Sequence, residues 1–142
     1  MSVICLLCIL FLFALADIKK RCIPTWGAVL YWLLGAVLYG CMWTERGWAP
    51  LIDGFVVIAL CGAIKKIFPK DVGPGDLVLL AGLFLYTSGQ MLWRGLGVAF
   101  FLNGLAALCL WLIYRDKKAE IPFIPFLWSG FLLAVVIGAQ CL

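Results

Sequence analysis

Residues 70–80 read KDVGPGDLVLL. Two glycines flank a proline, an aspartate follows, and the chain then turns strongly apolar. In a water-soluble protein this would be an ordinary turn. The rest of the chain decides otherwise. Of its 142 residues, 66% are hydrophobic and 13% charged, against roughly half and about a quarter in globular domains. Too few polar residues remain to cover a water-facing surface. The apolar runs are continuous rather than alternating, which fits spanning helices and not a barrel. The expected fold is all-α: a polytopic integral membrane helix bundle in one domain over 1–142.

Working outward from residue 70, six apolar segments can be drawn, at 2–16, 26–43, 50–64, 77–92, 95–114 and 122–141. The third and fourth are short against the roughly 20 residues that cross a bilayer. Their helices are expected to extend into the flanks, or the bilayer to thin. Lys19, Lys20 and Arg21 follow the first segment, Lys65, Lys66 and Lys70 the third, and Arg115, Lys117 and Lys118 the fifth. If six helices alternate, these basic residues share one side, and only Arg46 and Arg94 lie in loops on the other. The positive-inside rule puts the basic side in the cytoplasm and both termini outside. The expected location is a cell inner membrane. The opening MSVICLLCILFLFALAD could pass for a cleaved leader. Its basic residues come after the apolar run and not before it, which favours an uncleaved helix running inward.

Composition removes several chemistries. There is no histidine, so Ser-His and Cys-His nucleophiles and imidazole metal ligands are excluded. Ser2, Ser88 and Ser129 have no activating base beside them in sequence. Of Cys5, Cys8, Cys22, Cys41, Cys61, Cys109 and Cys141, only Cys5 and Cys8 are spaced as a CxxC, and that CLLC lies within an apolar run. They read as small packing residues. No metal, cofactor or nucleic acid is expected; the lipid bilayer is an expected partner.

The acids narrow the choice further. Asp116 and Glu120 share a loop with basic residues, Glu45 sits beside Arg46, and Asp71 neighbours Lys70; all read as solvated. Asp53 follows Pro50 and suits the first turn of its helix, where negative charge is favoured. Asp17 closes an apolar segment and Asp76 opens one, with two segments between them. An even number of crossings returns the chain to the same face, so both carboxylates belong at the cytoplasmic edge. Two carboxyls held close share a proton, because both cannot ionise cheaply. Such a pair can activate a water: the ionised member takes its proton as it attacks a peptide carbonyl, and the protonated member donates to the carbonyl oxygen. Gly73 and Gly75 would allow a sharp turn and a close substrate, with Pro74 stiffening it. The plainer alternative is an interhelix turn with Asp76 as N-cap.

Three stretches resemble the type IV prepilin peptidases, a family of GxGD membrane aspartyl proteases. DIKKRCIPTW at 17–26 is similar to the family's first aspartate and Ile-Pro loop, GPGDLVLLAG at 73–82 to its second aspartate motif, and IPFIPFLWSG at 121–130 to its late Pro-Phe motif. The resemblance implies that Asp17 and Asp76 are the catalytic pair. It implies that Ile23 and Pro24, with Gly73, Pro74 and Gly75, shape the site, and that Pro122, Phe123, Pro125 and Phe126 form a helix entrance near it. The implied activity is removal of the basic leader from pilin-like precursors at the cytoplasmic face, serving a type IV pilus or protein-secretion system.

The chain departs from the family pattern at Thr25, Val78 and Ile124, where asparagine, lysine and glycine are frequent. No insert with two CxxC pairs precedes Asp17, so peptidase activity is expected without N-methyltransferase activity. Two other classes remain open on the residues. One is a small proton-coupled transporter, since acids near a membrane often mark ion routes; against it, no acid falls at a midplane and no inverted repeat is visible. The other is a non-catalytic helper subunit of a membrane assembly.

Overall fold

The computed structural model describes residues 2–20, 24–67, 73–87, 89–114 and 123–140. Every regular element among them is helical. The order is α1 (Ser2–Lys20), α2 (Thr25–Cys41), α3 (Trp43–Arg46), α4 (Ala49–Ile67), α5 (Pro74–Gly82), a 3-10 turn (Leu83–Leu85), α6 (Gly89–Tyr114) and α7 (Phe123–Gln140). Arg21, Ile23, Lys70, Asp71, Ser88, Arg115, Asp116, Lys117, Lys118, Glu120 and Pro122 lie outside the described residues.

The helix starts follow from local chemistry. Pro24 is the N-cap of α2 and Pro74 the first residue of α5, positions where the missing N–H leaves no gap in the ladder. Pro50 falls in the first turn of α4 and Pro125 in that of α7. Gly47 and Gly89, with φ of 58° and 39°, end α3 and open α6 in backbone conformations that side chains with a Cβ disfavour.

The fourth and fifth segments divide differently from the sequence expectation. The fourth does not run to 92. α5 tightens into the 3-10 turn and ends at Leu85, and α6 begins at Gly89. Arg94, expected in a loop, is therefore inside α6. Gly89, at positive φ, opens α6; the charge at Arg94 marks no break. α4 extends at both ends of its apolar run, to Ala49 and Ile67. α1 over Ser2–Lys19 and α6 over Gly89–Ile113 are long and apolar enough to cross a membrane. α2, α7 and α5 with its 3-10 turn are shorter apolar helices.

α7 packs against both α6 and α1, and α5 against both α2 and α4. On α6, Ala99 approaches so closely that a Cβ at Gly130 would stand 2.6 Å from its backbone nitrogen. Phe131 fills the space left by Gly95, and Phe100 meets Phe123 at 5.5 Å between ring centres. Phe11 of α1 meets Trp128 of α7. The other group closes around the end of α5 in the same way. Gly35, Gly54 and Gly82 accept Tyr86, Phe84 and Tyr31, whose ring atoms lie 2.8, 2.5 and 2.5 Å from where a Cβ would be. Phe13 against Tyr31 joins α1 to α2.

Outward faces are apolar too. Trp26 is 81% exposed, Phe55 75%, Ile113 72% and Phe101 69%. Large apolar side chains thus stand outward on α2, α4 and α6. Of the cysteines described, Cys61 is buried, Cys5 is half-buried, and Cys8, Cys41 and Cys109 are exposed. Most of them therefore dress outer faces instead of filling the core expected for them.

Candidate functional site

Asp76 is the third residue of α5, after Pro74 and Gly75, and Gly73 is the N-cap. Asp76 is thus not itself the N-cap, and the cap makes no side-chain hydrogen bond. Gly73 has φ −63° and ψ 136°, a conformation open to any residue. The sharp turn expected of this glycine is absent; what it supplies is room. A Cβ there would lie 3.5 Å from Asp76 Oδ2.

Asp17 lies in the last turn of α1, half-buried, with its Oδ2 shielded from solvent. It stands close enough that its charge acts on Asp76. The Asp76 carboxyl is pushed up from its ordinary 3.8 to about 6, first by burial and then by Asp17. The first turn of a helix favours a negative charge, so the dipole of α5 pulls the other way. Desolvation and the neighbouring acid outweigh it. Asp76 stands immediately before the apolar run that begins at Leu77.

The remaining expected site residues are placed as follows. Pro24 is exposed at the start of α2, with its carbonyl accepting from the Ala28 amide at 3.2 Å. Phe123 opens α7 against Phe100. Pro125 accepts from Ser129 Oγ at 2.8 Å, and Phe126 is half-buried. These contacts tie the prolines to their own helices. Ile23 and Pro122 lie outside the described residues. Of the three departures from the family pattern, Thr25 and Val78 are exposed, and Ile124 is fully buried in the core.

α5 is fixed by hydrogen bonds that the linear sequence does not display. At Leu83 the backbone N–H bonds to Leu80 instead of Leu79, which releases the Leu79 carbonyl from the ladder. Tyr31 Oη donates to it at 3.0 Å, and Trp32 Nε1 donates to the Val78 carbonyl at 3.2 Å. Tyr86 stacks on Tyr31, 4.9 Å between centres, and its hydroxyl donates to the Tyr31 carbonyl. Thr87 Oγ donates to Leu83 O at 3.2 Å. Arg46 donates to the Leu85 and Tyr86 carbonyls at 3.3 and 3.1 Å, and to Ser2 Oγ.

Across the break, Asp53 accepts from the Gly89 amide at 3.0 Å and from Trp93 Nε1 at 3.2 Å. Asp53 is not in the first turn of its own helix; it caps the first turn of α6. Arg46 and Asp53 were legible as stray charges beside apolar runs, but nothing in the linear sequence named their partners. No three His, Cys, Asp or Glu side chains gather among the described residues. The chemistry at hand is that of two coupled carboxyls. No family model, curated protein or solved structure matches this chain.

Proposed function

We propose that this chain is a membrane aspartic endopeptidase that removes the basic leader of pilin-like precursors at the cytoplasmic face of the inner membrane. The observation that carries this reading is the coupling of Asp17 and Asp76, set at the end of α1 and the start of α5. The substrate class comes from the resemblance of 17–26, 73–82 and 121–130 to the type IV prepilin peptidases.

In this reading α1, α2, α4, α5, α6 and α7 are six membrane crossings, with Trp26 and Trp111 at the inner interface and Trp43, Trp48 and Trp93 at the outer one. α5 with its 3-10 turn reaches only about 20 Å, less than the roughly 30 Å hydrocarbon core. Its outer end stays inside the bundle, where Leu85, Tyr86 and Thr87 are buried. Irregular backbone at membrane depth is tolerated only under such protein cover.

The chemistry needs one proton on the pair. The ionised carboxylate removes a proton from a water held between the two acids as that water adds to the scissile carbonyl carbon. The protonated acid donates to the carbonyl oxygen. Collapse of the tetrahedral intermediate breaks the C–N bond, and a proton passes to the leaving amine. The precursor's apolar helix would lie in the bilayer and its basic leader in the cytosol. N-methylation is not part of the proposed activity.

Co-expression with a pilin-like precursor, followed by intact-mass analysis, tests the reading. Asp17→Asn and Asp76→Asn should each abolish processing, a loss of at least about 1,000-fold, at normal protein level. Full processing by both variants would refute the mechanism. Proton flux in proteoliposomes, with no processing by the wild type, would favour a transporter instead.

A further inference from the structure

The two helices that carry the acid pair are also joined at their opposite ends, and one side chain joins them. Arg46 Nη2 donates both to Ser2 Oγ and to the Tyr86 carbonyl, while Nη1 donates to the Leu85 carbonyl. Ser2 is the first described residue of α1 and is buried; Leu85 and Tyr86 close the path of α5 and are buried too. The acceptors are the carbonyls of Leu85, which ends the 3-10 turn continuing α5, and of Tyr86, its C-cap; this is the negative end of the helical path, where a cation is favoured. A planar guanidinium can serve three acceptors at fixed angles; an ammonium at the same place cannot reproduce that fork.

α1 and α5 run antiparallel. Arg46 bridges Ser2 and Tyr86 at one end, and the charge of Asp17 acts on Asp76 at the other. A helix is stiff along its axis because each residue is bonded to the next turn, so an axial shift at one end appears at the other. A slip of α1 against α5 at the Arg46 end is therefore delivered to the carboxyls. Among the described residues, the charged ones at the acid end are Asp17, Lys19 and Lys20 on α1, Asp76 on α5, and Lys65 and Lys66 at the end of α4. The first turns of α2 and α7 bring none.

We propose that Arg46 is a positioning residue for the acid pair: by tying Ser2 to the Leu85 and Tyr86 carbonyls, it sets the register of α1 against α5 and so the approach of Asp17 to Asp76. Its activity arm rests on the endopeptidase reading; its geometric arm does not. The full-length protein, labelled with 13C-aspartate in detergent micelles, is titrated with Asp76→Asn as the assignment control. Cleavage of the co-expressed precursor is followed across the same pH range.

In Arg46→Met the titration of Asp76 should move down toward the ordinary carboxylate range by at least about half a pH unit. The acid limb of cleavage should move with it, and kcat should fall more than KM changes. Arg46→Lys should recover part of the shift, and Ser2→Ala should show a smaller one in the same direction. An unchanged Asp76 titration in folded Arg46→Met would overturn the proposal. If Arg46→Met does not fold, Ser2→Ala carries the test, and an unmoved titration there overturns it equally. A shifted titration in a protein that cleaves nothing would keep the clamp and remove the endopeptidase reading.

Discussion

The two ends of α5 are built on opposite plans. At its C-terminal end the backbone carbonyls of Leu79, Leu83, Leu85 and Tyr86 receive donors from Tyr31, Thr87 and Arg46, and Asp53 takes up the first amide of α6. Glycines there are filled by aromatic rings. At its N-terminal end the cap is a glycine with no side-chain bond, and a half-buried carboxyl is held above its ordinary titration range by desolvation and then by a second acid. One end is organised for stability; the other keeps an electrostatic conflict within it. Strain of this kind clusters at functional sites, where the rest of the fold must hold it in place.

The same substitution should therefore act differently at the two ends. The largest expected effect is Gly54→Ala, whose methyl would sit 2.5 Å from the Phe84 ring. A loss of about 1–3 kcal/mol is expected from such overpacking, read as a lower melting temperature in detergent. Gly73→Ala meets only Asp76 Oδ2, at 3.5 Å. Its melting temperature should match the wild type, while precursor cleavage falls because the methyl occupies the space beside the carboxyl. Equal melting losses at both positions would erase the contrast.

Removing a carboxylate should also change sign between the ends. Asp53→Ala deletes the cap of α6, at a loss of about 1 kcal/mol. Asp76→Asn should instead stabilise the protein near neutral pH. Because Asp76 titrates at about 6 in the folded chain against an ordinary 3.8, the native state binds more protons than the unfolded chain in that window. The contribution of this carboxyl to stability is highest below about pH 4 and declines as pH rises through about 6. The advantage of Asp76→Asn should be full at about pH 7.5 and vanish near pH 4. A melting-temperature difference that does not vary with pH would contradict the burial of this acid. The smallest effect is expected away from both ends. Exposed Cys8→Ser and Cys109→Ala should stay within about 0.5 kcal/mol of the wild type, with cleavage unchanged.

How far each region was legible follows the range of the forces involved. The runs at 2–16 and 26–43 are apolar enough to announce helices directly, and α1 and α2 cover them nearly end to end. The boundary near 92 was misplaced because Arg94 looked like a loop charge. The break comes instead where the 3-10 turn meets Gly89 at positive φ. Counting apolar segments put Asp17 and Asp76 on one expected face, but that the charge of Asp17 acts on Asp76 emerges only from the packed helices. Asp53 was read as serving its own helix, because its true partners lie 36 and 40 residues away.

By itself the sequence determined that the chain is apolar and helical, and that two acids stand at the borders of apolar runs. These are local properties: hydropathy and the preferences of proline and glycine act within a few residues. Only the tertiary structure decided that α5 stops short, that Tyr31, Arg46 and Asp53 complete its frame, and that the Asp76 carboxyl is raised. Those outcomes depend on desolvation and on hydrogen bonds between distant residues, which exist only once the helices have packed.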